Sequence, residues 1–289
     1  MAIFALVIGI ALAVYFIRRR AYEKTEYFAQ THHSYGTVNR DKGTGGEYDL
    51  YRCLSPLEGY KRFLFNCYLP KEDGETTEVD VILLHESGIY VFESKNYSGW
   101  IFGSENQTYW TQTLPAGRSG IQKYRFFNPI IQNEVHIKCL QRILNEPTIP
   151  IYSYIVFGDN CTLKNVKLTS GRHFVTHYGN VLSHVMYTSQ MAGGQLLPEQ
   201  IDVWYEKLYP FTQADDLSRF IHGESVRRKR EGTYQWEGDG LMCPRCGGRL
   251  LLRTASKGPQ AGQQFWGCSN YPRCRYTQRL ANQENTFKP

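Results

Sequence analysis

Several features that would settle a protein class are missing from this chain. Its 289 residues hold no fixed-period repeat and no low-complexity tract, which excludes a solenoid and fits a folded composition of 42% hydrophobic and 21% charged residues. Eight cysteines are present, but they do not form the dense framework of a small secreted protein: four fall into a metal pattern and Cys53, Cys67, Cys139 and Cys161 are scattered. Most of those four sit among apolar neighbours, as small buried hydrophobes do, and unpaired thiols fit a reducing compartment. Acidic residues almost vanish after residue 239, where Glu284 stands alone against eight Lys and Arg, a net of +7. The first 239 residues therefore sum to −1, and one short segment holds the whole excess of the formal +6. Such a segment is either a solvated basic tail or the footprint of a polyanion, most simply nucleic acid.

Long hydrophobic runs are also scarce, and the one exception opens the chain. Residues 1–17 are apolar or glycine and Arg18, Arg19 and Arg20 follow at once. No basic residue precedes the run and no small-residue cleavage site follows it, which argues against a cleaved signal peptide. The expectation is an uncleaved transmembrane anchor over residues 1–20, short against the ~20 apolar residues a span needs. The arginines place the bulk of the chain on the cytoplasmic side of the cell membrane in a single-pass arrangement. Residues 21–42 read as a helical stalk ending in a glycine-rich break, and residues 47–57 as a helix.

The stretch that organises the remainder is residues 78–99. Val79 to Leu84 and Ile89 to Phe92 are β-branched, aliphatic and aromatic, with His85-Glu86-Ser87-Gly88 as the loop of a hairpin. Symmetric pairing places Ile82 across from Val91, Leu84 across from Ile89, and Asp80 across from Glu93. Like charges about 5 Å apart on one face repel, and a divalent cation between them would turn the repulsion into chelation. Period-two alternation adds Lys95 to the face of Glu93. Asp80, Glu93 and Lys95 thus converge at one end of an apolar ribbon.

An Asp on one strand and Glu-x-Lys on the next resembles the metal-dependent PD-(D/E)xK nuclease site. The longer context resembles its nuclease-related branch, the NERD domain: Gly46-Glu47, the Asp80 strand, Gly88 through Gly99, Trp110, and Asn128-Pro129-Ile130-Ile131-Gln132. Val79 stands where the motif's name has proline, which supplies no ligand. The resemblance implies an α/β fold, a mixed sheet flanked by helices, over residues 43–230 with its core at 43–144. It also implies catalytic roles for Asp80, Glu93 and Lys95, with Glu47 and Gln132 in support, and Mg²⁺ or Mn²⁺ on Asp80 and Glu93. A glutamate in a helix's first turn is equally what the helix dipole favours, so Glu47 has a structural reading as well.

Residues 60–69 read as a strand before the hairpin, 101–110 as a further strand pair, and 114–124 as a loop. Residues 128–144 form an amphipathic helix with Ile130, Ile131, Val135, Ile137, Leu140 and Leu144 as its buried stripe. Two strands (150–157 and 173–177) follow, then a helix over 181–189 capped by Asn180, and closing helices over 197–209 and 215–230. Residues 231–240 read as a linker.

The last module, residues 241–289, begins Cys243-Pro-Arg-Cys246 and, after 21 intervening residues, closes with Cys268 and Cys274. Two close thiolates at each end of a short segment suit tetrahedral structural Zn²⁺, without which so few residues could not hold a fold. The pattern resembles the C4 zinc ribbon carried as a tail by type IA DNA topoisomerases, of whose catalytic domain nothing is present. Arg245, Arg249, Phe265, Trp266, Tyr271, Arg273 and Arg275 mix rings with cations, the pattern that stacks single-stranded DNA bases while holding phosphates. Some of those rings are expected to cover the zinc core instead. Two functional classes remain open: a membrane-anchored, DNA-binding, metal-dependent nuclease, and a non-catalytic protein that tethers DNA or acts as a scaffold at the membrane.

Overall fold

The computed structural model describes residues 2–115, 120–193, 196–214, 223, 250–254, 264–268, 272 and 274–279. The chain divides into two compact units, one of residues 1–112 and 125–222, the other of residues 113–124 and 223–289. In chain order the elements are α1 (Ala2–Tyr22), α2 (Glu26–Thr31), α3 (Tyr35–Arg40), α4 (Lys42–Leu54), β1 (Lys61–Pro70), β2 (Thr76–His85), β3 (Gly88–Lys95), β4 (Gly99–Ser104), β5 (Tyr109–Pro115) and β6 (Ile121–Phe127). They continue with α5 (Pro129–Leu144), β7 (Ile151–Phe157), β8 (Cys161–Lys167), β9 (His173–His177), α6 (Tyr178–Ala192), α7 (Pro198–Leu208), β10 (Leu250–Thr254), β11 (Gln264–Cys268) and β12 (Thr277–Arg279).

The central sheet has the order β1-β2-β3-β7-β9, antiparallel across β1, β2 and β3 and parallel from β3 to β9. This is the mixed sheet flanked by helices that the resemblance implied. Phe63, Phe65, Val81, Leu83, Tyr90 and Phe92 bury one face of it against Leu50 and Leu54 of α4 and Val181 and Val185 of α6. Leu64, Ile82, Leu84, Ile89 and Val91 bury the other against Leu140 and Leu144 of α5 and Ile201 and Leu208 of α7. Strands covered on both faces read as continuous apolar runs, which is why the hairpin sequence is apolar throughout.

The alternation breaks at one level of the sheet. Phe63 and Phe65 face α4, so Cys67 and Leu69 should too, yet they pack on the α5 side. Val79 and Ile82 likewise share the α5 side although they are three residues apart. The ladder skips from Phe65↔Val81 to Cys67↔Val79, and Asn66 has a φ of +52°. One residue of each strand, Asn66 and Asp80, thus drops out of the ladder with the register unchanged on either side, and side-chain facing reverses across the break.

A second sheet, order β6-β5-β4-β8, covers the end of β7. Ile101, Trp110, Ile130, Ile155, Phe157 and Cys161 form its core, with Trp110 stacked on Phe157 at 6.2 Å. In the other unit, β10, β11 and β12 make an antiparallel three-stranded sheet.

Several expectations need correction. Residues 21–42 are not a free stalk: Tyr22, Tyr27 and Val38 are buried in the α4 core, and the Tyr22 hydroxyl donates to the His33 carbonyl at 2.7 Å. Aromatic rings on a short polar stretch cost less buried than exposed, and three short helices achieve that burial. The helix over 47–57 starts earlier, at Lys42, because the Asp41 side chain accepts from the Thr44 N–H as N-cap. Part of the 114–124 loop is β6. The helix α6 begins at Tyr178 with His177, not Asn180, at its cap position. On α5, Asn133, His136 and Cys139 are buried where Ile131, Val135 and Ile137 are only partly so. The helix over 215–230 and the linker fall outside the described residues.

The expected membrane span is not supported: among the described residues no helix is long and apolar enough to cross a membrane. A run of seventeen residues rises only about 26 Å, short of the ~30 Å hydrocarbon core.

Gly103 lies flat against the buried Trp110, whose ring atoms would stand 2.3 Å from an added Cβ. Gly103→Ala is expected to destabilise the nuclease-like unit by about 1–3 kcal/mol. A thermal melt unchanged from wild type would contradict this packing.

Candidate active site

The hairpin register is as expected at Ile82↔Val91 and Leu84↔Ile89, but the ladder stops at Val81↔Phe92. Asp80 and Glu93 are not a laddered pair. Glu93, Ser94 and Lys95 instead run parallel to Ile155, Val156 and Phe157 of β7, and the Asp80 carboxylate accepts the Ser94 N–H at 2.7 Å. The strands part at the level where Asp80 has also left the ladder with β1. That parting makes room for buried carboxylates and an ammonium in a largely apolar sheet.

The Lys95 ammonium donates to Glu93 Oε1, and Gln132 Oε1 of α5 stands 3.5 Å from the same ammonium. Glu93 is 1% exposed, with His136 Nδ1 3.6 Å from its second oxygen. Gln132 and His136 are one helical turn apart, so α5 lays both over the end of β3. On the opposite side α4 brings Glu47, which accepts from the buried Tyr27 hydroxyl at 3.1 Å. Gly46 makes that approach possible, since a Cβ there would meet the Tyr178 hydroxyl at 2.6 Å and Ser94 Oγ at 3.2 Å.

Burial raises Asp80 well above the usual carboxylate range; Glu93 adds to the shift, while Lys95 and the Ser94 N–H pull it down. Burial raises Glu93 too, against the pull of Lys95. Glu47 is pushed up to about 7 by burial and by the charge of Glu78, with hydrogen bonds from Asn66 and Tyr27 opposing. Burial works against the charge on Lys95, but Glu93 and Asp80 more than offset it and hold the ammonium above its ordinary range. Carboxylates outnumber the one lysine here, and the imbalance calls for a further cation.

The donors present fit a hard divalent ion. Glu93 Oε2 and Asn66 Oδ1 are buried oxygens without a hydrogen-bond partner among the described residues. No group of three or more His, Cys, Asp or Glu is gathered closely enough to hold a metal by itself among those residues. Mg²⁺ typically takes one or two carboxylates and completes its shell with water and substrate phosphate, so two are sufficient.

Sequence reasoning missed Asn66, Tyr27, Glu78 and His136. Asn66 could have been found as the lone polar residue in the apolar run from Phe63 to Leu69, and His136 as the residue one turn after Gln132. Tyr27 gave no signal, since its partner is 20 positions away.

In the other unit Cys268 and Cys274 are 1% and 6% exposed and pack together, with Trp266 and Tyr276 against them. Buried thiols in one cluster fit half of a zinc site, and Trp266 is one of the rings that cover it. Phe265 is partly buried and Arg275 exposed. Cys243, Cys246, Arg245, Arg249, Tyr271 and Arg273 lie outside the described residues.

Residues 42–158 match the family model of the nuclease-related domain, and residues 240–283 that of the topoisomerase DNA-binding C4 zinc finger. An uncharacterized protein of Bacillus anthracis is 37% identical over 145 residues, 50% of this chain and 66% of that protein. DNA topoisomerase 1 of Methanocaldococcus jannaschii is 48% identical over 43 residues, which are 15% of this chain and 5% of the enzyme. DNA topoisomerase 1 of Archaeoglobus fulgidus is 36% identical over 80 residues, 28% of this chain and 11% of the enzyme. The chain thus spans just under two thirds of the first relative and a small part of the other two. No solved structure matches.

Asp80, Glu93 and Glu47 all bind their protons more tightly folded than unfolded. Their contribution to stability is full below the unfolded carboxylate range and is lost as pH rises through each folded-state pKa, which for Glu47 is about 7. The metal-free protein should therefore melt several degrees lower at pH 8 than at pH 5.5, and millimolar Mg²⁺ should recover the loss at pH 8. A metal-free melting temperature that rises over this interval, or that Mg²⁺ leaves unmoved, would contradict the charge balance.

Proposed function

We propose that this chain, which carries a nuclease-related domain and a topoisomerase-type C4 zinc ribbon, is a membrane-anchored DNA-binding protein that hydrolyses DNA phosphodiester bonds with a divalent metal. The observation that carries the reading is the convergence of Asp80, Glu93 and Lys95 where β2 and β3 part in a largely apolar sheet. A purely structural core has no need of two carboxylates raised by burial beside a single lysine.

Asp80 and Glu93, with the Ser94 carbonyl, would hold Mg²⁺ or Mn²⁺. Bound there, the ion supplies Lewis acidity to the scissile phosphate and lowers the pKa of a water. Lys95 orients the attacking oxygen and offsets the negative charge that develops on the phosphate. Gln132 fixes the Lys95 ammonium from α5, and Glu47 supports the site from α4. The zinc ribbon, on Cys243, Cys246, Cys268 and Cys274, holds the DNA through Arg275, Phe265 and the neighbouring rings and arginines.

The attachment to the cell membrane is α1, with the bulk of the chain cytoplasmic. Ten large apolar side chains between Phe4 and Ile17 are exposed on it, and Arg18, Arg19 and Arg20 follow. Fractionation tests this part: the full chain should sediment with membranes, and residues 21–289 should not. Equal solubility of both would remove the anchor.

A second reading, a non-catalytic scaffold, is favoured by one feature. Glu93 is fully buried and already paired with Lys95, as a structural ion pair would be. Cleavage of single-stranded, duplex and branched DNA with Mg²⁺ or Mn²⁺ separates the two. Asp80→Ala should abolish cutting, and Lys95→Ala should lower it at least 100-fold with DNA binding retained. Binding without cutting on every substrate would leave the scaffold standing.

A further inference from the structure

The second sheet has an outer face that the metal site does not use. Its inner face is settled by packing: Ile101, Trp110 and Phe126 point into the core, and Gly103 lies under Trp110. Alternation then turns Trp100, Tyr109, Arg125 and Phe127 outward. Trp100 is 46% exposed and Phe127 44%, large rings left in water where their neighbours on the other face are buried. Isolated exposed rings are ordinary, but these stand on adjacent strands of one sheet, with Phe127 6.1 Å from Tyr109.

Cations sit among the rings. The Arg125 guanidinium lies 4.7 Å from the Tyr109 centroid and the Lys164 ammonium 5.7 Å from that of Trp100. Lys167 pairs with Ser104 on the same outward parity as Trp100. None of the four strands carries an acidic residue, whereas the metal site concentrates them. A face of flat rings interleaved with cations and free of carboxylates is complementary to a ligand that offers both planar aromatic groups and a polyanionic backbone.

We propose that the outer face of the β6-β5-β4-β8 sheet binds single-stranded nucleic acid. Bases stack on Trp100 and Tyr109 while Arg125, Lys164 and Lys167 hold phosphates. An anionic lipid surface shares the charge but not the use for rings set flat into a sheet, so nucleic acid is the better match. The face works without metal and does not depend on cleavage, which separates its failure from that of the nuclease reading.

The test uses the full chain in detergent carrying Asp80→Ala, so that no strand is cut, with a fluorescent 15-nucleotide oligo(dT) and a version bearing 5-iododeoxyuridine. Photo-crosslinks are expected in β4 or β5, at Trp100 or Tyr109. Trp100→Ala should weaken binding at least fivefold, as loss of one stacked base does, and Trp100→Phe should largely restore it. Arg125→Gln, Lys164→Gln and Lys167→Gln together should lower the slope of log affinity against log salt by about 2, from three lost phosphate contacts on a single strand. Crosslinks confined to residues 240–283, with affinity and salt slope unchanged in these variants, would overturn the proposal. So would an unchanged oligonucleotide affinity accompanied by weaker capture on phosphatidylserine vesicles, which would make the face a lipid surface.

Discussion

The burial of the Glu93 carboxylate against the Lys95 ammonium, with Asp80 alongside, is the constraint around which the nuclease-like unit is arranged. Charged groups inside a sheet are costly unless each is paired, and one lysine cannot pair them all. The fold responds by parting β2 from β3 at that level, by turning an α5 face that is otherwise apolar to polar residues, and by bringing α4 close over a glycine. Gln132, His136, Gly46 and Tyr27 take their places from this need. Along the rest of the β2-β3 hairpin the sheet is mostly apolar on both faces. The site is therefore where the fold stores its electrostatic strain, and a divalent cation is what would relieve it.

Much of this was legible in residues 78–99. An apolar run interrupted by a four-residue turn fixes the hairpin register, and that register brings Glu93 and Lys95 to one face. The four-cysteine spacing and the amphipathic α5 were equally readable. Symmetric pairing failed at Asp80, because Asn66 and Asp80 leave the β1-β2 ladder without any change in the apolar pattern on either side. Asn tolerates the left-handed region and leaves no glycine to mark the spot. The folded state of residues 21–42 was hidden for another reason. Tyr22 and Tyr27 read as polar stalk residues until their hydroxyls are seen to reach His33 and Glu47. The polar positions of α5 were misplaced because Asn133 donates to the Val91 carbonyl and Ser153 Oγ, partners a helical wheel does not show.

The molecule separates its charges by task. Carboxylates collect in a buried gap suited to a cation, and cations collect with exposed rings on the outer sheet and along the ribbon sequence, where a polyanion can be held. Each arrangement is unfavourable alone: buried like charges repel, as clustered cations do, and exposed rings stay in water. A nucleic acid bound with its metal ion would complement both, so the two features support one reading by independent physics.

Diffraction from crystals grown with Mn²⁺, with data collected at the manganese edge, is the most direct test. The account requires an anomalous peak bonded to Asp80 and Glu93 oxygens and to the Ser94 carbonyl, with the Lys95 ammonium drawn off Glu93. A structure saturated with Mn²⁺ that shows no peak there, and Lys95 still locked on Glu93, would contradict it.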